Sequence, residues 1–209
     1  MIEQRTEAWF LSRLGKVTAS RVADVIAKTK SGPSASRENY ATQLVLERLT
    51  NSVGEAYSNA AMQWGTDQEP NARNAYELKM STFVKEVGFI DHPTIDMSGA
   101  SPDGFVGEDG LVEIKCPNSS THIDTLVSQK VPAKYLPQMQ WQMACTGAKA
   151  TDFVSFDDRL PEGLQLFVKR VERDNEMIAM LEKEARKFLE EVQETTEKLE
   201  LIREQNVKN

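Results

Sequence analysis

The segment SPDGFVGEDGLVEIK, residues 101–115, constrains this chain more than any other. An aspartate behind a proline is followed by a turn containing Gly104, Gly107 and Gly110, and then by a run with the period-two alternation of a β-strand. Alternation sets Leu111, Glu113 and Lys115 on one face and Val112, Ile114 and Cys116 on the other, which lines a core. Antiparallel pairing across the glycine turn brings Asp103 near Glu113, so three charged groups converge on one point. Two carboxylates and the main-chain carbonyl of Ile114 make an all-oxygen site suited to Mg²⁺ or Mn²⁺. The adjacent Lys115 ammonium can orient a water or stabilise charge building on a phosphate. An acid and a lysine two residues apart are also common as a solvated pair on a strand. The coincidence of Pro102, Asp103 and the glycine turn at hairpin distance favours a site that hydrolyses a phosphodiester.

The rest of the composition narrows the chemistry. Only Cys116 and Cys145, with His92 and His122, are present, too few for a disulfide framework or a zinc cluster, so a metal here is expected to be oxygen-bound. A formal net charge of -7 argues against coating nucleic acid nonspecifically, which depends on many Lys and Arg contacts with phosphate, and leaves room for a local basic channel. With no long apolar run to mark a signal peptide or membrane span, a cytoplasmic protein that makes no membrane contact is expected.

A chain of 209 residues with 40% hydrophobic content suits one domain. It divides into N-terminal helices over 1–80, a catalytic sheet and helix over 81–172, and a C-terminal helix over 173–205. The pattern predicts a first helix ending near Leu14–Gly15 and a second opening at TAS, where Ser20 can act as N-cap. A surface loop is expected around KTKSGPSASRE, then helices over 38–50 and 61–79. TFVKEVGFIDH and IDMSGASPDGFVG read as strands, AKYLPQMQWQMACTG as a helix, and ATDFVSFDD and LQLFVKRVE as two more strands. Met177, Leu181, Ala185, Phe188 and Val192 at helical spacing predict a final long helix. The expected class is α/β, a mixed central sheet flanked by helices.

The pattern PD at 102–103 with EIK at 113–115 resembles the PD-(D/E)-x-K nuclease superfamily and its restriction-endonuclease-like core. More narrowly, the chain resembles the phage-lambda-type exonuclease family of viral recombination nucleases. Further segments carry the resemblance: W-x-x-x-R-L-G-K-V-T-A-S at 9–20, WGTDQEPNA at 64–72, YLPQMQWQM at 135–143 and FD-D-R within SFDDRL. It implies a Mg²⁺-dependent 5′-to-3′ exonuclease, with Mn²⁺ able to substitute, that degrades one strand of linear duplex DNA and leaves 3′ overhangs for strand annealing.

By the same resemblance Glu69 joins Asp103, Glu113 and the Ile114 carbonyl in a site for two ions about 4 Å apart. Gln138, rather than the nearby Gln140 or Gln142, sits beside the nucleophilic water; Gln142 also reads as a polar helix residue facing solvent. Arg13, Ser20 and Ser101 form a pocket for a terminal 5′-phosphate. Met62 corresponds to a wedge that parts the duplex, or is a core methionine. The family's further arginine after the catalytic lysine is missing, and His122 or a residue elsewhere takes its place. The resemblance also implies a homotrimeric ring around duplex DNA ends and a phage-type single-strand annealing partner. Two other readings are a site-specific or repair endonuclease on the same core, and a DNA-end-binding protein without catalysis.

Overall fold

The computed structural model describes residues 2–53 and 59–208. Helix α1 (Glu7–Ser12) starts at Thr6, whose hydroxyl accepts from the Trp9 amide, and is followed by strand β1 (Val17–Thr18). A single 3-10 turn (Ala19–Arg21) leads into the short helix α2 (Val22–Val25). Then come β2 (Lys28–Thr29), β3 (Gly32–Pro33), α3 (Ala35–Thr50) and α4 (Ala60–Met80). Strands β4 (Ile90–Asp91), β5 (Ser98–Ala100), β6 (Gly104–Val106) and β7 (Gly110–Lys115) precede helices α5 (Ser119–Ser128) and α6 (Leu136–Thr146). Strands β8 (Ala150–Phe156) and β9 (Leu166–Glu172) lead to the final helix α7 (Asn175–Lys208).

The four-stranded sheet has the order β6-β7-β8-β9, and a three-stranded sheet has the order β1-β5-β4. β6 and β7 are antiparallel, with Gly104 opposite Val112, so the glycine turn closes a hairpin as its sequence requires. β7 and β8 are parallel. Parallel neighbours need a long crossover, and α5 and α6 supply it. The class is therefore the mixed sheet flanked by helices that the patterning predicts.

Each face of β7 meets a different helix. Val112 and Ile114 pack with Ala72 and Tyr76 of α4, and Leu111 packs with Met143 and Ala144 of α6. The α6 side of the strand is thus the side that carries Glu113 and Lys115. The largest cluster joins α2, α3, α6 and α7, where Phe188 stacks on Tyr40 with ring centroids 5.5 Å apart. Along α7 the buried stripe runs Ile178, Leu181, Ala185, Phe188, Leu189, Val192 and Thr196, at the predicted helical spacing.

Local expectations fail where tertiary partners intervene. Ser20 caps no helix: it lies inside the 3-10 turn, and its hydroxyl instead sits 3.4 Å from that of Thr18. The expected loop after residue 27 contains the small β2–β3 hairpin, and α3 starts at Ala35 behind the Ser34 cap. In TFVKEVGFIDH only Ile90–Asp91 forms a strand, with one bridge from Lys85 to Phe105.

Gly99 shows how tightly the three-stranded sheet is built. A Cβ there would lie 2.4 Å from the Ile90 carbonyl oxygen and 2.4 Å from the Phe89 ring. Gly99→Ala is expected to destabilise the protein by about 1–3 kcal/mol through this overpacking. Urea unfolding checks it, and an unchanged midpoint would contradict the close approach.

Candidate active site

Glu113 lies on β7 at 1% exposure, and a carboxylate so buried needs partners. Three side chains meet it. Lys115, two residues along the same strand face, places Nζ 2.5 Å from Oε1. Gln138 on α6 donates to Oε1 at 2.6 Å, and Gln142, one turn further along the same helix, donates to Oε2 at 2.6 Å. Lys115 also donates to Gln138 Oε1 at 3.4 Å. Asp103, just before β6, accepts from the Ile114 amide at 2.6 Å, so the hairpin brings Asp103 beside Glu113.

The electrostatics are lopsided. Burial first, then the charges of Glu113 and Glu69, hold the Asp103 carboxyl well above the usual carboxylate range; Lys115 and the Ile114 amide do not offset them. Burial pulls the Lys115 pKa down, but Glu113 and Asp103 outweigh it, so the ammonium is held charged. Burial, then Glu69 and Asp103, push the Cys116 thiol up to about 12, so it stays protonated at neutral pH.

One lysine therefore faces an excess of acid. Oxygen donors in a net negative field suit a hard divalent cation, and Asp103, Glu113 and the Ile114 carbonyl are the residues that could hold one. Glu69, on α4, is within electrostatic reach of Asp103, but its carboxylate is paired with Arg5 and with Arg73. Among the described residues no three acidic, His or Cys side chains are already gathered as a ligand set.

Beside this cluster is a cavity of about 150 Å³ lined by Arg13, Thr18, Ser20, Ser101, Gln138 and Trp9, among others. Gln138 belongs to both. Burial lowers the Arg13 pKa, with Tyr40 and Glu47 opposing, yet the guanidinium makes no side-chain hydrogen bond or ion pair among the described residues. Glu47 is occupied by the Gly15 amide and by Gln43. A second cavity of about 670 Å³ shares Arg13, Thr18 and Ser20 and carries Met62 on its wall. Met62 is 53% exposed, so it is no core methionine.

Two expectations are corrected. His122 does not replace the missing arginine: it is fully buried, with Nε2 against the Leu164 carbonyl oxygen (2.9 Å) and Nδ1 against Ser155 Oγ (2.7 Å). Gln142 is not solvent-facing but wholly buried on Glu113. The signal for it was its i,i+4 spacing from Gln138, which puts both amides on one helix face. Gln140 points elsewhere, donating to Glu172 O and accepting from the Asp174 amide.

Sheet, hairpin aspartate and Glu-x-Lys strand together define a nuclease of the PD-(D/E)-x-K type. Comparison with known proteins narrows the class. Residues 8–149 match the YqaJ-like viral recombinase domain. The crystal structure of an alkaline exonuclease, LHK-Exo from Laribacter hongkongensis, is similar with a TM-score of 0.90 and 52% identity, covering 96% of this chain and 99% of that one. A structure of LHK-Exo in complex with dAMP gives the same values. A phage related exonuclease from Haemophilus somnus 129PT shares the fold, with a TM-score of 0.67 at 16% identity over 86% of this chain and 96% of that one. No curated protein matches the chain. The chain belongs to the YqaJ-like viral recombinase family, of the lambda-exonuclease type, and is a DNA exonuclease that hydrolyses phosphodiester bonds.

Removing the second amide tests the geometry around Glu113. Gln142→Leu fills the same space but frees Glu113 Oε2, and should cut the nuclease rate about 10–100-fold, the usual cost of losing an outer partner of a site. Single-turnover digestion measures it, with circular dichroism to confirm the fold; a wild-type rate would show that Gln142 does not set the carboxylate.

Proposed function

We propose that this chain is a Mg²⁺-dependent exonuclease that digests one strand of linear duplex DNA from its 5′ end and leaves 3′ single strands for annealing. The observation that carries the reading is the Arg13 guanidinium, without a hydrogen bond or ion pair among the described residues, in a cavity joined to the Glu113–Lys115 cluster through Gln138. A terminal phosphate monoester offers more charge and one more free oxygen than an internal diester, which suits a fork of free donors. Arg13, Ser101 and Ser20 bind that monoester, and the next phosphodiester along the strand then reaches Lys115. LHK-Exo binds dAMP, a mononucleotide of the size such a step would release.

Asp103, Glu113, the Ile114 carbonyl and Glu69 would hold Mg²⁺, with Mn²⁺ able to replace it and a second ion accommodated. Bound there, the cation supplies Lewis-acid stabilisation of the charge that develops on the scissile phosphate. Lys115 adds a fixed positive charge at the same place. Gln138 orients the attacking water by its amide, whose charge does not change with pH. Met62, exposed on the first turn of α4, parts the last base pair.

A net charge of -7 cannot hold DNA by overall attraction, so processive digestion calls for enclosure. A homotrimeric ring with basic groups in its channel provides it, and a single-strand annealing protein would receive the product. None of the described helices is long and apolar enough to cross a membrane.

Three results are expected. Linear duplex with a 5′-phosphate should be digested at least about tenfold faster than 5′-hydroxyl duplex, from charge-assisted hydrogen bonds of about 1.5–3 kcal/mol each, and Arg13→Ala should erase most of the difference. Equal rates in the wild type would overturn the pocket. Chelator or Ca²⁺ should stop hydrolysis while Mn²⁺ sustains it; turnover in chelator would refute metal dependence. Light scattering should give three times the chain mass, and a monomer mass would remove the ring.

A further inference from the structure

We infer that Trp9 is the positioning residue of the phosphate cavity, arranging both of its principal donors. The inference rests on the reading of that cavity as a terminal-phosphate site. Trp9 lies on α1 at 8% exposure, with Phe10 edge-on to its ring at 5.0 Å. It makes two contacts that face the cavity. The guanidinium carbon of Arg13 sits 3.9 Å from the centre of the Trp9 ring, an i,i+4 stack at the end of the helix. The indole N–H donates to Ser101 Oγ at 2.9 Å.

Each contact has a directional consequence. Indole nitrogen is a donor only, so Ser101 oxygen must accept from it and the serine's own proton is left to point elsewhere. Among the described residues that proton has no acceptor, and Ser101 lines the cavity. Stacking fixes the plane of the Arg13 guanidinium while leaving its edge N–H groups free, whereas pairing with a carboxylate would occupy them. One side chain thus presets a guanidinium from the end of α1 and a hydroxyl from the loop between β5 and β6. Preset donors bind an anion without first losing rotamer freedom.

The test is the ratio of digestion rates on 5′-phosphoryl and 5′-hydroxyl duplexes of one sequence. Trp9→Phe keeps a ring beneath Arg13 but loses the N–H, and should lower the ratio about 3–10-fold. Ser101→Ala should lower it by at least that factor, and the double variant by no more than Ser101→Ala alone, because Trp9→Phe acts through the hydroxyl that Ser101→Ala removes. Trp9→Leu loses both contacts and should approach the ratio of Arg13→Ala. Benzothienylalanine at position 9 keeps the indole shape and replaces the N–H by sulfur; it should behave as Trp9→Phe does even if the phenylalanine variant fails to fold. If Trp9 only supports the fold, its variants will slow both substrates by the same factor and leave the ratio unchanged, which would overturn the assignment. A wild-type ratio of one would overturn the cavity reading itself, and this proposal with it.

Discussion

The carboxylate of Glu113 is the contact on which the rest of the site depends. It is buried in the middle of the sheet, and a buried carboxylate persists as a charge only where donors replace the water it has lost. Lys115 comes from the same strand, and Gln138 and Gln142 come from α6. That helix passes over the Glu113 side of β7 because β7 and β8 are parallel and must be joined by a crossover. The topology of the sheet and the satisfaction of one side chain are therefore one arrangement.

Charge of opposite sign is then laid out on either side of Gln138. Toward the strand, Asp103 and Glu113 exceed what Lys115 balances, and the raised proton affinity of Asp103 follows first from its burial and then from that excess. Toward α1, a guanidinium that makes no ion pair among the described residues faces a small cavity. The first place draws a cation and the second an anion. On the proposed reading, a strand end would meet both at once, with a terminal phosphate in the cavity and a scissile phosphate at the carboxylates.

What the sequence made legible was what periodicity can encode. Two-residue alternation assigned Glu113 and Lys115 to one face of β7, and helical spacing marked the buried stripe of α7. Hidden were side chains whose roles depend on partners far along the chain. His122 looked like an available cation, yet Ser155 and Leu164, both in or beyond β8, occupy its two nitrogens. Gln142 looked like a surface amide because hydropathy cannot show a buried carboxylate 29 residues away. Ser20 looked like a helix cap because four residues of α2 are too few to reveal that the chain first makes a 3-10 turn. Trp9 was visible as part of a family pattern, but its hydrogen bond to Ser101 spans 92 residues.

The central claim is that the paired cavity and carboxylate cluster read a 5′ end. The most direct measurement follows linear duplex carrying distinct labels at its 5′ and 3′ termini through single-turnover digestion with Mg²⁺. The account predicts that the 5′ label leaves first, as a mononucleotide, while the 3′ label stays on long single strands and closed circular DNA of the same sequence is left intact. Early release of the 3′ label, or cutting of the closed circle, would contradict it.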